Sequence, residues 1–327
     1  MPALGAAEAA ASHESQLVGF ILVNGPLRVR VTDNASRLCP TGDYTMPGYN
    51  GLAALIHDRQ GRNAFTPAGL NYEMGSTVPQ MGQHKGVWNA PRVAPMTIEQ
   101  LDAHSVRLTQ KGADAAGVNA EIRFSLGETY VDQTITVWPD VDVESSSTFW
   151  ASYMNFVQNT SLYLRGALQG EQESGWLEMT SAGHGGGEKD VFFRPLDPHG
   201  KAWHEFLTDN PVRRQAITQT PESVAATERA GFKAGRLASF ENFFLGFVDD
   251  YVALWIFRPT GEGGFNPWVS ASGSHAVCAP AWDFSIWSGP QKAGERRTYH
   301  VRLVYKPFAG LDDVLREVQR FQHPEAE

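Results

Sequence analysis

The sequence predicts an all-β protein: a large antiparallel assembly of sheets, followed by one short C-terminal helix. Three observations carry that reading. Apolar and polar residues alternate with period two in segment after segment, as half-buried strands require. Only one segment has apolar residues at helical spacing with comparable strength. The chain also holds 32 glycines and 19 prolines, which suit many turns between short strands. At 327 residues it exceeds a simple sandwich of about 100 residues, so a bigger two-sheet assembly fits the length.

Taken in order, LRVRVTD (27–33) puts Leu27, Val29 and Val31 on one face and Arg28, Arg30 and Thr32 on the other. HSVRLTQ, EIRFSL (121–126) and YVDQTITVW (130–138) repeat the pattern, with Gly127 and Glu128 as the turn between the last two. SLYLRG, GWLEMTS and KDVFFRP follow. FFLGFVDDYVALWIF (243–257) reads as two strands around Asp249 and Asp250; AWDFSIW and RTYHVRLVYKPF complete the set. In LDDVLREVQRF, Leu311, Val314, Leu315 and Val318 make an apolar helical stripe suited to lie on a sheet. Asp312 and Asp313 favour its N-terminal end, Arg316 and Arg320 the other, and Gly310 and Pro324 bound it. The least regular stretches, 40–95, 181–235 and 259–281, read as loops at the sheet edges, and 197–235 as a flap or short helical excursion. Residues 1–16 read as a flexible tail and 17–327 as a single β domain.

Composition narrows the function. Apolar residues at 42% can fill a sizeable core, and 19% charged residues argue against disorder. A net charge of −9 makes nucleic acid and anionic membrane poor partners. No apolar run is long enough to span a bilayer, and the Ala-rich start has neither the basic nor the apolar region of a signal peptide, which predicts a cytoplasmic protein. Cys39 and Cys278 are too few for a disulfide framework; two free thiols are expected, with one long-range bridge as the alternative.

Several residues could carry chemistry. His184, in SAGHGGGEKD, is flanked by glycines that let ligand and ring approach closely, and imidazole can act as general acid or base near neutral pH. The competing reading is an exposed histidine on a flexible hairpin. In PAGLNYEMG, Asn71 and Glu73 share one face of an extended segment; amide and carboxylate together suit sugar hydroxyls, and Glu73 could be a base. In CAPAWDFSIW, Asp283 sits among aromatics that would raise its pKa toward a catalytic value, while Trp282 could stack on a sugar face. The alternative is a turn-capping Asp283 beside core tryptophans. Tyr153 and Asn155 share a face of FWASYMNFVQN, Tyr49 and Asn50 offer a similar pair, and Arg92 could bind a carboxylate in bidentate fashion. A structural role competes for each. HExxH, GxSxG, Rossmann and Walker signatures are missing, so neither metal nor cofactor is expected.

YNGLAALIHDRQGRNAF, AGLNYE, the mid-chain histidine loop and the antiparallel run with FWASYMN, PAWDF and YKPF make residues 20–321 resemble the galactose mutarotase-like β-supersandwich group, in particular bacterial proteins with such segments. The resemblance implies a β-supersandwich. Its members include aldose epimerases, polysaccharide lyases, glycosidase domains and non-catalytic sugar binders. Its epimerases use a mid-chain histidine as acid and a late carboxylate as base, which by position fall on His184 and Asp283. The GHGGG context and an aspartate in place of the usual glutamate depart from that pattern. The expectation is therefore a carbohydrate-active enzyme using general acid/base chemistry, a lyase or hydrolase. An aldose epimerase and a non-catalytic sugar-binding protein are the alternatives.

Overall fold

The computed structural model describes residues 19–35, 48–74, 90–112, 117–157, 160–181, 191–197, 232–261, 263–270 and 280–324. His184, Cys39 and Cys278 lie outside them, as do the predicted tail and most of the 197–235 stretch.

The described strands are β1 (Phe20–Asn24), β2 (Leu27–Thr32), β3 (Gly51–His57), β4 (Phe65–Met74), β5 (Met96–Asp102), β6 (Ser105–Gln110), β7 (Val118–Leu126), β8 (Tyr130–Pro139) and β9 (Val143–Met154). They continue with β10 (Leu162–Leu168), β11 (Gly175–Ser181), β12 (Val191–Leu196), β13 (Lys233–Ala234), β14 (Leu237–Val248), β15 (Tyr251–Phe257), β16 (Gly264–Ser270), β17 (Ala281–Gln291) and β18 (Arg297–Pro307). A helical turn, α1 (Ala90–Val93), precedes β5, and helix α2 (Leu311–Gln322) follows β18. The smaller sheet has seven strands in the order β1-β2-β3-β4-β9-β17-β16. The larger has eleven, β13-β12-β11-β10-β14-β15-β18-β8-β7-β6-β5. This is the two-sheet antiparallel architecture with a C-terminal helix that the alternation predicts.

The core lies between the sheets and is built largely of rings. Trp282 of the smaller sheet meets Trp255 of the larger edge-on, with centroids 6.1 Å apart. Phe284 lies 5.0 Å from Phe257, and Phe124 meets Trp150 edge-on at 6.4 Å. Each such pair adds roughly 0.5–1.5 kcal/mol beyond its buried area. Gly246 of β14 lies against the Trp282 indole, where a Cβ would have no room. Helix α2 covers the other face of the larger sheet. Val314, Val318 and Phe321 are buried there against Phe243, Phe247, Val252, Leu254 and Ile256. Lys306 ties β18 to this helix through Asp313 at 2.9 Å and Glu317 at 2.5 Å. No helix among the described residues is long and apolar enough to cross a membrane.

The structure corrects the reading of 40–95 and 259–281 as loops. Strands β3 and β4 occupy the interior of the smaller sheet, and β16 forms its edge. In GLAALIH every residue is buried or half-buried, so alternation is blurred. In β4 the register shifts between Phe65 and Leu70, and the extra residues break the period.

Candidate active site

The outer face of the smaller sheet, turned away from the core, gathers a cluster of polar side chains. Strand alternation selects them. In β4, Leu70 and Tyr72 belong to the core, which leaves Asn71 and Glu73 on the outer face. In β9, Trp150 and Met154 are core residues, and Phe149, Ala151 and Tyr153 face outward in a separate apolar cluster with Ala68 and Ala281. In β17, Trp282 and Phe284 turn inward and Asp283 outward. Because β4, β9 and β17 are neighbours, these outward residues share one surface.

Arg92 closes over it from α1. Its guanidinium pairs with the Glu73 carboxylate and lies 4.1 Å from the centroid of the Tyr49 ring. Tyr49 meets Tyr153 edge-on at 6.0 Å, and the Tyr153 hydroxyl donates to Glu73 Oε1 at 3.4 Å. Burial alone would lower the Arg92 pKa, but Glu73 and Tyr49 hold it above its ordinary value. Burial, followed by the Glu73 charge, pushes the Tyr153 hydroxyl up, so it remains a donor at neutral pH. The tight approach of Gly48, whose φ is 95°, fixes Tyr49 against α1: a Cβ there would fall 2.7 Å from Arg92 Cβ. The turn itself is held from below. Asn34 Nδ2 donates to Pro91 O at 3.0 Å and Ala94 O at 2.6 Å, and Gln110 Nε2 donates to the same carbonyls at 2.8 and 2.9 Å.

Asp283 is buried beside this group. Its Oδ1 accepts the backbone N–H of Ser152 at 2.8 Å, while Ser152 Oγ donates to the Trp282 carbonyl. The aspartate thus takes the amide that an unbroken ladder would give to Trp282. Burial raises the Asp283 pKa well above the usual carboxylate range; the Ser152 N–H opposes this and the Glu73 charge adds to it. A carboxyl whose protonated form is favoured by burial therefore sits near another that is ion-paired. Environments that differ in this way separate an acid from a carboxylate.

Of the residues singled out from sequence, Glu73, Arg92, Tyr49, Tyr153, Asn71 and Asp283 are brought to this face. Asn71 Nδ2 donates to Ala68 O and Ala151 O, each at 3.4 Å, and its buried Oδ1 has no hydrogen-bond partner among the described residues. Asn50 lies next to them, exchanging hydrogen bonds with the Tyr72 backbone. Asn155 follows the end of β9, and its Oδ1 accepts from the Phe156 N–H. It makes none of the cluster's contacts among the described residues. Trp282 is corrected outright: it is fully buried and its Nε1 donates to Thr160 O at 3.3 Å, so it is core and not a stacking platform. Adjacent strand residues point to opposite faces, so Trp282 and Asp283 cannot both line the site. The aromatic neighbour on the correct side is Trp268, which pairs with Asp283 across β16–β17 and donates Nε1 to Ser285 Oγ at 3.1 Å. Its signal was the alternation of Phe265, Pro267 and Val269 with Asn266 and Trp268. Among the described residues, no group of three or more His, Cys, Asp or Glu could hold a metal ion.

No family model matches the chain. No curated protein matches it. Solved structures similar to it include a galactose mutarotase-like protein from Lactobacillus casei, at 9% identity over 88% of this chain and 100% of that one, with a TM-score of 0.48. A galactose mutarotase related enzyme from Lactobacillus acidophilus has 10% identity over 90% of this chain and 99% of that one, with a TM-score of 0.45. An alpha-N-acetylgalactosaminidase from Bifidobacterium bifidum has 10% identity over 92% of this chain but only 38% of its own, with a TM-score of 0.47. Galactose mutarotase-like proteins, the group that the sequence resembles, are thus among its structural neighbours.

Proposed function

We propose that the chain is a carbohydrate-active enzyme that works by proton transfer on the outer face of the smaller sheet. The observation that carries this reading is the convergence of a buried Asp283, whose pKa burial raises, with the Arg92–Glu73 pair and Tyr153. Asp283 is the general acid, delivering its proton to a ring or leaving oxygen. Glu73 is the matching carboxylate, acting as base or as stabiliser of developing positive charge. Arg92 pairs with Glu73 and orients it, and Tyr49 and Tyr153 bind hydroxyls. Sugar as the substrate class follows from the sequence resemblance and suits this mix of carboxyl, amide, phenol and indole. His184 remains a second acid/base candidate on its sequence context.

A panel of oligosaccharides and free sugars, read by mass spectrometry and NMR, tests the reading. Bond cleavage identifies a hydrolase, an unsaturated product a lyase, and anomer or epimer exchange an isomerase. Asp283→Asn is expected to lower turnover by about 10²–10⁴-fold, the range of positioned proton transfer. Binding without turnover by the wild type at every pH would replace the enzyme with a sugar-binding protein.

A further inference from the structure

The row of side chains on β17 continues beyond the acid. Asp283, Ser285 and Trp287 share the outer face, while Phe284, Ile286 and Ser288 turn into the sandwich. Exposure climbs steadily along the row. Asp283 is 7% exposed, Ser285 is half-buried, and Trp287 is 50% exposed. The surface therefore opens outward from the acid, and the four-residue step puts Trp287 about 13 Å along the strand from Asp283.

Between the two ends lies an ordered aromatic floor. Trp268 is held by its hydrogen bond to Ser285 and meets Phe149 edge-on at 5.9 Å. Phe149 is itself the register partner of Ser285. Trp287 has small partners on either side, Gly264 in β16 and Ser147 in β9. The far edge of the indole lies beside Gly289, where an added Cβ would come 3.8 Å from the ring. A tryptophan left half in water forgoes a large apolar burial, which a stacked ligand would recover.

We propose that Trp287 is the stacking platform of an outer sugar subsite, so that the substrate is an oligosaccharide rather than a free monosaccharide. The subsite rests on the proposed function, since it extends the surface whose deep end is Asp283. One sugar ring held at the acid leaves Trp287 for a later ring of the same chain. Trp268 and Ser285 floor the path between them.

The test compares the wild type with Trp287→Ala and Trp287→Phe on malto-, cello- and galacto-oligosaccharide ladders of one to four sugar units. In at least one ladder the wild-type kcat/KM is expected to rise with length. Trp287→Ala is expected to remove about tenfold of that rise, chiefly through KM, the scale of one lost aromatic contact, and to leave the shortest reacting sugar unchanged. Trp287→Phe should restore most of the loss. Turnover that is independent of length, or a Trp287→Ala loss that is equal at every length, overturns the subsite and leaves the proposed function standing. Neither binding nor reaction with any of the sugars overturns both.

Discussion

The backbone N–H of Ser152 donates to the carboxyl of Asp283 at 2.8 Å, joining residues 131 positions apart in the chain. The acid is thereby locked to β9 and leaves little room for its orientation to drift. The burial around the acid, which outweighs that bond, gives it a definite effect on stability. Unfolded, Asp283 ionises near pH ~3.9. Folded, it keeps its proton to higher pH. The folded state therefore loses stability as pH rises from the unfolded value through the folded one, by up to about 1.4 kcal/mol per pH unit. Urea unfolding of the wild type and Asp283→Asn should coincide below pH ~4 and diverge above it, with the variant the more stable. Parallel curves at every pH would refute a raised pKa.

Arg92 and Glu73 should be energetically coupled. Arg92→Ala leaves the Glu73 carboxylate, whose side chain is 9% exposed, without its ion pair. A double-mutant cycle with Glu73→Gln is expected to return an interaction of about 0.5–3 kcal/mol in chemical denaturation. A value within error of zero would mean that the pair does not contribute to holding α1.

Asn34 and Gln110 should back each other up. Each of the Pro91 and Ala94 carbonyls accepts from both amides, so either single alanine variant leaves both carbonyls with a partner. Each single change is expected to cost about 1 kcal/mol, and the double variant clearly more than the sum, because only then are the carbonyls orphaned. Simple additivity in thermal or urea unfolding would argue against the shared clamp.

Gly246→Ala should be costly despite adding one methyl group. Its Cβ would press into the ring of Trp282, which is fully buried. Overpacking of this kind costs about 1–3 kcal/mol. Trp282→Phe in the same chain should recover part of it, and a Gly246→Ala melting temperature equal to that of the wild type would contradict the contact.

Alternation and helix spacing are local properties, and so they were legible. They marked the strands around 27–33, 121–138 and 243–257 and the helix at the end of the chain. They failed at β3, which is covered on both faces, and at the start of β4, where a register shift between Phe65 and Leu70 resets the period. They also identified Asn71, Glu73, Tyr153 and Asp283 as polar groups in extended segments. The same alternation stood against pairing Trp282 with Asp283 in one site, since neighbours in a strand point to opposite faces.

The sequence by itself determined which residue types were available and which side of its own strand each would occupy. That β4, β9 and β17 lie side by side, and so which outward faces merge into one surface, is a property of the folded chain alone. Strand order is set by long-range packing and pairing between segments far apart in the chain, and no local period encodes it. The raised pKa of Asp283 has the same origin, since it comes from burial between distant strands, against the opposing effect of the Ser152 amide.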